Sequence, residues 1–380
     1  MKKVGILGGT FNPVHNEHLS LAISAVKELN LDKLIVMPTC ISPHKTLRPA
    51  GETDRLNMLK LAFEGQEKIT VSDYEITKGG KSYTYQTVEH YKELFGSEIF
   101  FICGGDMLTD FKTWKYPERI LSACTLAVFD REGVFTDYEN IEKYFKETFK
   151  KSFVKLKYVG KDASSTKIRV YSEFGLPLDG IAPKGVEEYI KENRLYSGDK
   201  YTEYIKKALP PKRIKHTADV VTCALLRAKE LGLDENKVKL ACTLHDCAKY
   251  LDHTKVQGFA LPDGVPLPVV HAFLGAFVAE HYLGVTDSEV LDAIRYHTSG
   301  KAEMSTLAKL VFVADMVEEG RTYDGVDKLR HLYRTADFEQ CFFNCLEEEV
   351  LHLLNKKQSI FVETLNAYDY YKKGERTPKK

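Results

Sequence analysis

The sequence has no apolar run approaching ~20 residues, so nothing in it reads as a membrane-spanning helix. It has no charge of one sign in excess: 54 Lys and Arg balance 54 Asp and Glu, for a formal net charge of +0. That argues against a broad nucleic-acid surface. Eight cysteines are present but no CxxC pair. Buried reduced thiols fit this scatter better than disulfides or a thiolate zinc site. No internal repeat and no low-complexity segment appears, and the basic end reads as a solvated tail. The N-terminus runs straight into a strand-like stretch, so no signal peptide is expected and a cytoplasmic location is.

What is present is enough for more than one core. With 380 residues, 43% hydrophobic and 28% charged, the chain should fold as two or three globular domains. The first stretch sets the pattern. Val4–Leu7 is a short apolar run of the kind buried on both faces of a sheet. Gly8, Gly9, Thr10 and Phe11 follow, then His15 and His18, and helical periodicity begins near Asn16. A strand feeding a glycine loop and a helix N-terminus makes a phosphate site, because free amides and the helix dipole face the anion. His15 and His18, three apart, share a helix face and can reach one polyphosphate.

This stretch, GGTFNPVHNEH, resembles the GGTFDPxHxGH motif of the nucleotidylyltransferase superfamily. The resemblance implies a Rossmann-like α/β domain with a parallel sheet. It implies transfer of a nucleotidyl group from a nucleoside triphosphate, with His15 and His18 holding the triphosphate. Asn12 and Glu17 depart from the pattern, which has aspartate and glycine there. A carboxylate beside a triphosphate must point away or pair with a base.

Further along, KLIVMP (33–38) reads as a second buried strand, followed by a polar loop with His44 and Lys45. ITVSDYEI (69–76) reads as a strand, and a helix is expected from Thr84, with Thr84 as its N-cap. Ile99–Cys103 is a strand ending in Gly104, Gly105 and Asp106, at the edge where open α/β sheets bind ligands. Asp106 suits a ribose hydroxyl, a magnesium-bound water or a helix cap. The lone tryptophan, Trp114, suits either the core or a ligand ring. Arg131 ends the next strand. Ser164, Ser165, Thr166 and Arg169 match the superfamily's SSTxIR motif, where hydroxyls and amides at a helix start meet a phosphate and the guanidinium joins them one turn later.

Within that superfamily, the His44-Lys45 loop, Tyr83-Thr84 and Trp114 are similar to the nicotinate mononucleotide segments of bacterial nicotinate mononucleotide adenylyltransferases. The implied partners are ATP with Mg²⁺ and nicotinate mononucleotide, and the implied catalytic groups are His15, His18, Lys45 and Arg169. Gly8, Gly9, Thr10, Phe11, His18, Gly104, Asp106, Ser164, Ser165, Thr166 and Arg169 fall to ATP. His44, Lys45, Tyr83, Thr84, Trp114 and Arg131 fall to the mononucleotide. Another acceptor, or a module that binds nucleotide without catalysis, is the alternative.

A boundary is placed in the SGDK turn, giving domains 1–197 and 198–380. Beyond it strand-like runs vanish and an all-α bundle is expected. His216, His245, Asp246, His271, His297 and Asp315 lie in apolar helical stretches. Buried ionisable groups are costly unless paired or bound to a cation, so six of them are read together as metal ligands. The set resembles the HD phosphohydrolases, His271 and His297 being the extra pair of binuclear members. Such ligands suit iron or manganese. Lys249 and Arg321 are expected phosphate contacts, and Asp246 and Lys249 catalytic groups. The closest likeness is to the symmetrical diadenosine tetraphosphate hydrolases, with another nucleotide or a cyclic phosphodiester as the alternative substrate. No nucleic-acid or membrane partner is expected, and homo-oligomerisation is left open.

Overall fold

A computed structural model of the chain describes residues 2–41, 50–132, 135–161 and 164–375. The chain forms two compact units, Met1–Ser172 with Pro177–Tyr196, and Glu173–Leu176 with Ser197–Lys380.

The first unit is built on six parallel strands: β1 (Lys3–Gly9), β2 (Lys33–Pro38), β3 (Ile69–Val71), β4 (Glu98–Gly104), β5 (Thr125–Arg131) and β6 (Val154–Gly160). Their order is β3-β2-β1-β4-β5-β6. Val4 pairs with Lys33 on one side and Ile99 on the other, so β1 is central. Central parallel strands are covered on both faces, which is why β1, β2 and β4 are nearly continuous apolar runs. Strand order reverses between β1 and β4, and the loops leaving their carboxyl ends diverge to form a crevice. Gly8 and Gly9 are the last residues of β1 rather than loop, and its loop begins at Thr10 and Phe11; β4 ends at Gly104, and Gly105 leads into a short helix that starts at Asp106. A side chain at Gly104 would collide with the Asp106 carboxylate, so only glycine allows that acid to fold back over the strand end. The outer edge of β6 is capped by Glu28, whose carboxylate accepts from the backbone N–H groups of Lys157 and Tyr158.

Two helices place the phosphate-facing groups: α1 (Asn16–Glu28), which follows β1, and α4 (Ser165–Phe174). Between them, α2 (Glu52–Ala62) and α3 (Thr84–Phe95) flank the sheet. Two local expectations change. The segment 69–76 is a strand only over Ile69–Val71, because Ser72 accepts the Tyr74 N–H and turns the chain into a short helix, Tyr74–Lys78. Thr84 is the first residue of α3 and Tyr83 its N-cap, without a side-chain capping bond.

The second unit is helical throughout the described residues. Its site-bearing helices are α5 (Pro211–Ala228), α6 (Glu235–Leu244), α7 (Leu267–His281), α8 (Ser288–Tyr296) and α9 (Thr306–Val317). Asp234, Asp287 and Ser305 cap α6, α8 and α9 with side-chain bonds to free N–H groups. α7 is apolar almost all round and buries ten residues, as a central helix must. Alanines at 218, 224, 241, 272, 276, 293, 308 and 314 are buried and let the helices approach closely. Among the described residues no helix is long and apolar enough to cross a membrane.

Candidate active sites

In the first unit the loop after β1 is held from several sides. Arg169 donates to the Asn12 carbonyl at 2.8 Å and to Thr166 Oγ1 at 3.0 Å. Ser165 Oγ donates to the Pro13 carbonyl at 2.8 Å, and the Tyr196 hydroxyl donates to Asn12 Oδ1 at 2.8 Å. Ser164 Oγ accepts from the Lys167 N–H and so caps α4. The SSTxIR segment thus ties down the histidine loop and, with Ser164, caps the start of its own helix.

His15 is the N-cap of α1, and its ring stacks on His18 with centroids 3.6 Å apart. The His15 backbone N–H donates to His18 Nδ1 at 3.2 Å. A neutral His18 therefore carries its proton on Nε2. Burial lowers the His15 pKa to about 4, with Arg131 adding to the effect and Glu17 opposing it. The His15 ring is thus held neutral near pH 7. Its Nδ1 is buried, and the His15 side chain faces the backbone N–H of His18 as the other half of a capping box.

Glu17 turns away from the loop. It accepts from the Tyr158 hydroxyl at 2.6 Å and the Lys161 N–H at 3.0 Å. Burial opposes its ionisation, but these two bonds and the Lys161 charge outweigh it and hold the carboxyl below its usual range. Across the crevice Asp106 pairs with Arg131 at 3.4 Å. Trp114 packs at the core edge against Phe111 and Phe101. Tyr83 lies beneath Lys115, whose Nζ is 4.3 Å from the ring centre. His44 and Lys45 lie outside the described residues.

In the second unit the six histidines and aspartates converge. His216 on α5 and Asp315 on α9 lie within their helices; His271 is on α7. His245, Asp246 and His297 lie just past the ends of α6 and α8 rather than inside them. The last carbonyls of a helix lack intrahelical donors. His245 Nδ1 lies 2.7 Å from the Cys242 carbonyl, and His297 Nδ1 lies 2.8 Å from that of Ile294. Each ring caps its own helix with Nδ1–H, leaving Nε2 a lone pair aimed at the cluster.

Two triads result, His216–His245–Asp246 and Asp246–His271–His297, with the donor atoms of each within 4.8 Å of one another. Asp246 belongs to both. Its Oδ2 is 3.9 Å from His216 Nε2 and 3.6 Å from His245 Nε2; its Oδ1 is 3.2 Å from His271 Nε2 and 3.5 Å from His297 Nε2. Asp315 Oδ1 adds to the first triad, 3.0 Å from His216 Nε2. Burial opposes ionisation of Asp246, but His245, His271 and His297 hold its pKa far below the usual range. Burial likewise opposes the charge on His216, yet Asp315 and Glu318 raise its pKa. The carboxylates thus draw positive charge into the cluster. Asp246 Oδ1 is buried without a hydrogen-bond partner. Fixed tautomers, an orphaned carboxylate oxygen and two carboxylates among four histidines fit divalent cations.

Three cations surround the triads. Arg213 donates to Asp246 Oδ2 at 2.8 Å, Lys249 Nζ is 3.6 Å from Asp246 Oδ1, and Arg321 donates to both the backbone carbonyl and the carboxylate of Asp315.

Comparison with known proteins adds identity to this geometry. The cytidylyltransferase-like family model matches residues 6–170, and the HD domain model matches residues 213–320. A Clostridium tetani protein named probable nicotinate-nucleotide adenylyltransferase is 39% identical over 199 residues, 52% of this chain and 100% of that protein. The chain belongs to the nicotinate-nucleotide adenylyltransferase family. The membership rests on its first half, and an HD domain follows. A Mycoplasma genitalium protein named probable nicotinate-nucleotide adenylyltransferase/Ap4A hydrolase is 29% identical over 329 residues, covering 84% of this chain and 88% of that one. A Clostridium acetobutylicum crystal structure, titled a predicted HD superfamily hydrolase involved in NAD metabolism, is 30% identical with a TM-score of 0.43, covering 46% of this chain and 97% of that one.

For this adenylyltransferase-family chain, the sequence pattern misses several supporting residues. Arg55 is buried on α2 and donates to the carbonyls of Thr10 at 2.8 Å and Cys40 at 3.4 Å, linking the loops after β1 and β2. Tyr196 and Tyr158 serve the first site from more than 140 residues away. Glu318, behind His216, has a sequence signal only in hindsight: it stands one helical turn after Asp315.

Proposed function

We propose that the chain is a bifunctional enzyme, with an adenylyltransferase domain at 1–197 and an HD phosphohydrolase domain at 198–380. The first domain transfers AMP from ATP to nicotinate mononucleotide. An oxygen of the mononucleotide phosphate attacks the α-phosphorus in line, the α–β bridging bond breaks, and pyrophosphate leaves with the electron pair. No covalent intermediate is needed. His15 and His18 donate hydrogen bonds to the triphosphate, while Lys45 and Arg169 offset its growing charge. The amides of Gly8–Phe11 and the Ser164–Thr166 helix start complete the ATP site, with Gly104 and Asp106 on the ribose side. Mg²⁺ accompanies ATP. His44, Tyr83, Thr84, Trp114 and Arg131 receive the mononucleotide.

The second domain hydrolyses diadenosine tetraphosphate to two ADP. His216, His245, Asp246 and Asp315 would hold one divalent cation, and Asp246, His271 and His297 a second; iron or manganese suits these donors. When bound, the pair supplies Lewis-acid polarisation of a phosphoryl oxygen and a more acidic water. Lys249 and Arg321 grip the phosphates, and Arg213 stands beside them.

A single feature carries this reading. One buried carboxylate, Asp246, presents one oxygen to each of two histidine groups, in a chain whose other half carries a stacked histidine pair on a phosphate loop. The named likeness to a two-activity Mycoplasma protein over both halves supports it.

The test is a pair of assays on the full chain. Pyrophosphate release should occur with ATP and nicotinate mononucleotide, and faster than with nicotinamide mononucleotide. ADP should accumulate from diadenosine tetraphosphate with Mn²⁺ or Fe²⁺. ATP binding without turnover overturns the first assignment. Faster hydrolysis of a cyclic phosphodiester overturns the substrate assigned to the second.

A further inference from the structure

The two triads share Asp246, but they are backed by different groups. His216 Nδ1 lies 3.0 Å from Glu318 Oε1, and this carboxylate is only 2% exposed. Glu318 is itself fixed: Oε2 accepts the Gly320 N–H, and Arg321 Nε stands 3.7 Å from Oε1. By contrast, His245 and His297 are backed by neutral carbonyls. At His271 Nδ1 the only hydrogen-bond neighbour among the described residues is the Lys249 ammonium at 3.4 Å, which also lies 2.9 Å from Nε2.

Arg213 and Arg321 stand on the His216 side, but Asp315 and Glu318 offset them, so the groups behind the rings still act in one direction. A carboxylate behind an imidazole fixes its tautomer and raises its basicity. A carbonyl fixes the tautomer and adds less charge. An ammonium beside both ring nitrogens fixes neither and opposes a second cation nearby. The His216 side also has the second carboxylate, Asp315, whose Oδ1 is 3.0 Å from His216 Nε2. Among the described residues, the His271–His297 triad has Asp246 as its only carboxylate.

We infer that Glu318 is a positioning residue that makes the His216–His245–Asp246–Asp315 side the tighter of two unequal metal sites, so that this side fills first and the His271–His297 side second. The inference rests on the two-metal reading given above. Glu318 touches neither substrate nor reacting atoms; it acts through His216, and through Arg321 on Asp315.

The experiment is a calorimetric titration of the chelator-stripped full chain with Mn²⁺, wild type against Glu318→Gln. Wild type should bind two equivalents in separable steps. In Glu318→Gln the first step should weaken by about 10- to 100-fold, the range outer-sphere partners carry, while the second moves much less. Unchanged steps, or equal weakening of both, overturn the role of Glu318. A wild type that binds no metal overturns the metal-site reading itself, so the two failures are distinct. Should the glutamine variant not fold, anomalous diffraction from wild-type crystals carrying one Mn²⁺ per chain answers the same question. The density should lie on the His216 side. Density on the His271 side, or split equally, contradicts the order of filling.

Discussion

The two halves of this chain solve one problem, the handling of phosphate charge, by opposite constructions. The first site is made of loops at a sheet edge. Its groups are backbone amides, hydroxyls and two histidines, and side chains such as Arg169 and Ser165 hold the loop by its carbonyls. The second site is made of helix ends and helix interiors, with six candidate ligand side chains on or at the ends of five helices. Loop sites depend on what ties the loop down; helix sites depend on ligands that packing has already oriented. Loss of one group should therefore degrade the first site by degrees and disable the second outright.

The sharpest break of that contrast is Asp246→Ala. It removes the only carboxylate common to both triads and should abolish tight binding of both metal equivalents. Diadenosine tetraphosphate hydrolysis should fall well beyond the ~10- to 100-fold attributed to outer-sphere residues. Metal analysis and ADP release measure this, and pyrophosphate formation by the first domain should not change.

His18→Ala in the first domain should lower kcat for adenylyl transfer by about 10²- to 10³-fold, typical of losing one donor to developing charge. Steady-state kinetics with saturating ATP would measure it. Hydrolysis of diadenosine tetraphosphate should stay at the wild-type rate.

A third effect concerns pH and stability. His15 is buried and its folded pKa is lowered to about 4, against 6.5 for the ordinary histidine. Between those values the unfolded chain binds a proton that the folded chain does not. Stability from this group is therefore full above about pH 6.5, falls as pH drops, and levels off below about pH 4. The loss is on the order of 3 kcal/mol. Denaturant unfolding of His15→Asn should show a shallower decline over that window than wild type. A parallel decline in the two proteins would remove the burial argument.

Glu17→Gly should have the smallest effect. Because Glu17 is turned toward Tyr158 and Lys161, the KM for ATP should change by less than about threefold, under 1 kcal/mol. The lost hydrogen bonds should cost about 1 kcal/mol of stability, seen in thermal melts. A large fall in KM would mean that Glu17 does repel the triphosphate.

The same contrast explains what could be seen in the sequence. The first fold was legible because β1, β2 and β4 are buried runs followed by glycine loops, each local in the chain. The six candidate ligands stood out because histidine and aspartate are costly in apolar helices. Their exact places did not. His245 and His297 sit at helix ends because their rings cap carbonyls three residues back, a pairing that periodicity cannot show. Strand β3 is shorter than the 69–76 span read as a strand, because the Ser72 side chain competes for the backbone. Arg55, Tyr196 and Glu318 act through contacts 45, 184 and 102 residues apart, which local periodicity does not show.

The most direct test puts both reactions on one preparation of the full chain: wild type, His18→Ala and Asp246→Ala, each assayed for pyrophosphate release and for ADP formation. Two independent centres predict a crossed result, each variant losing one reaction and keeping the other. A variant that silences both reactions, or ADP formation that survives Asp246→Ala at the wild-type rate, would contradict the account.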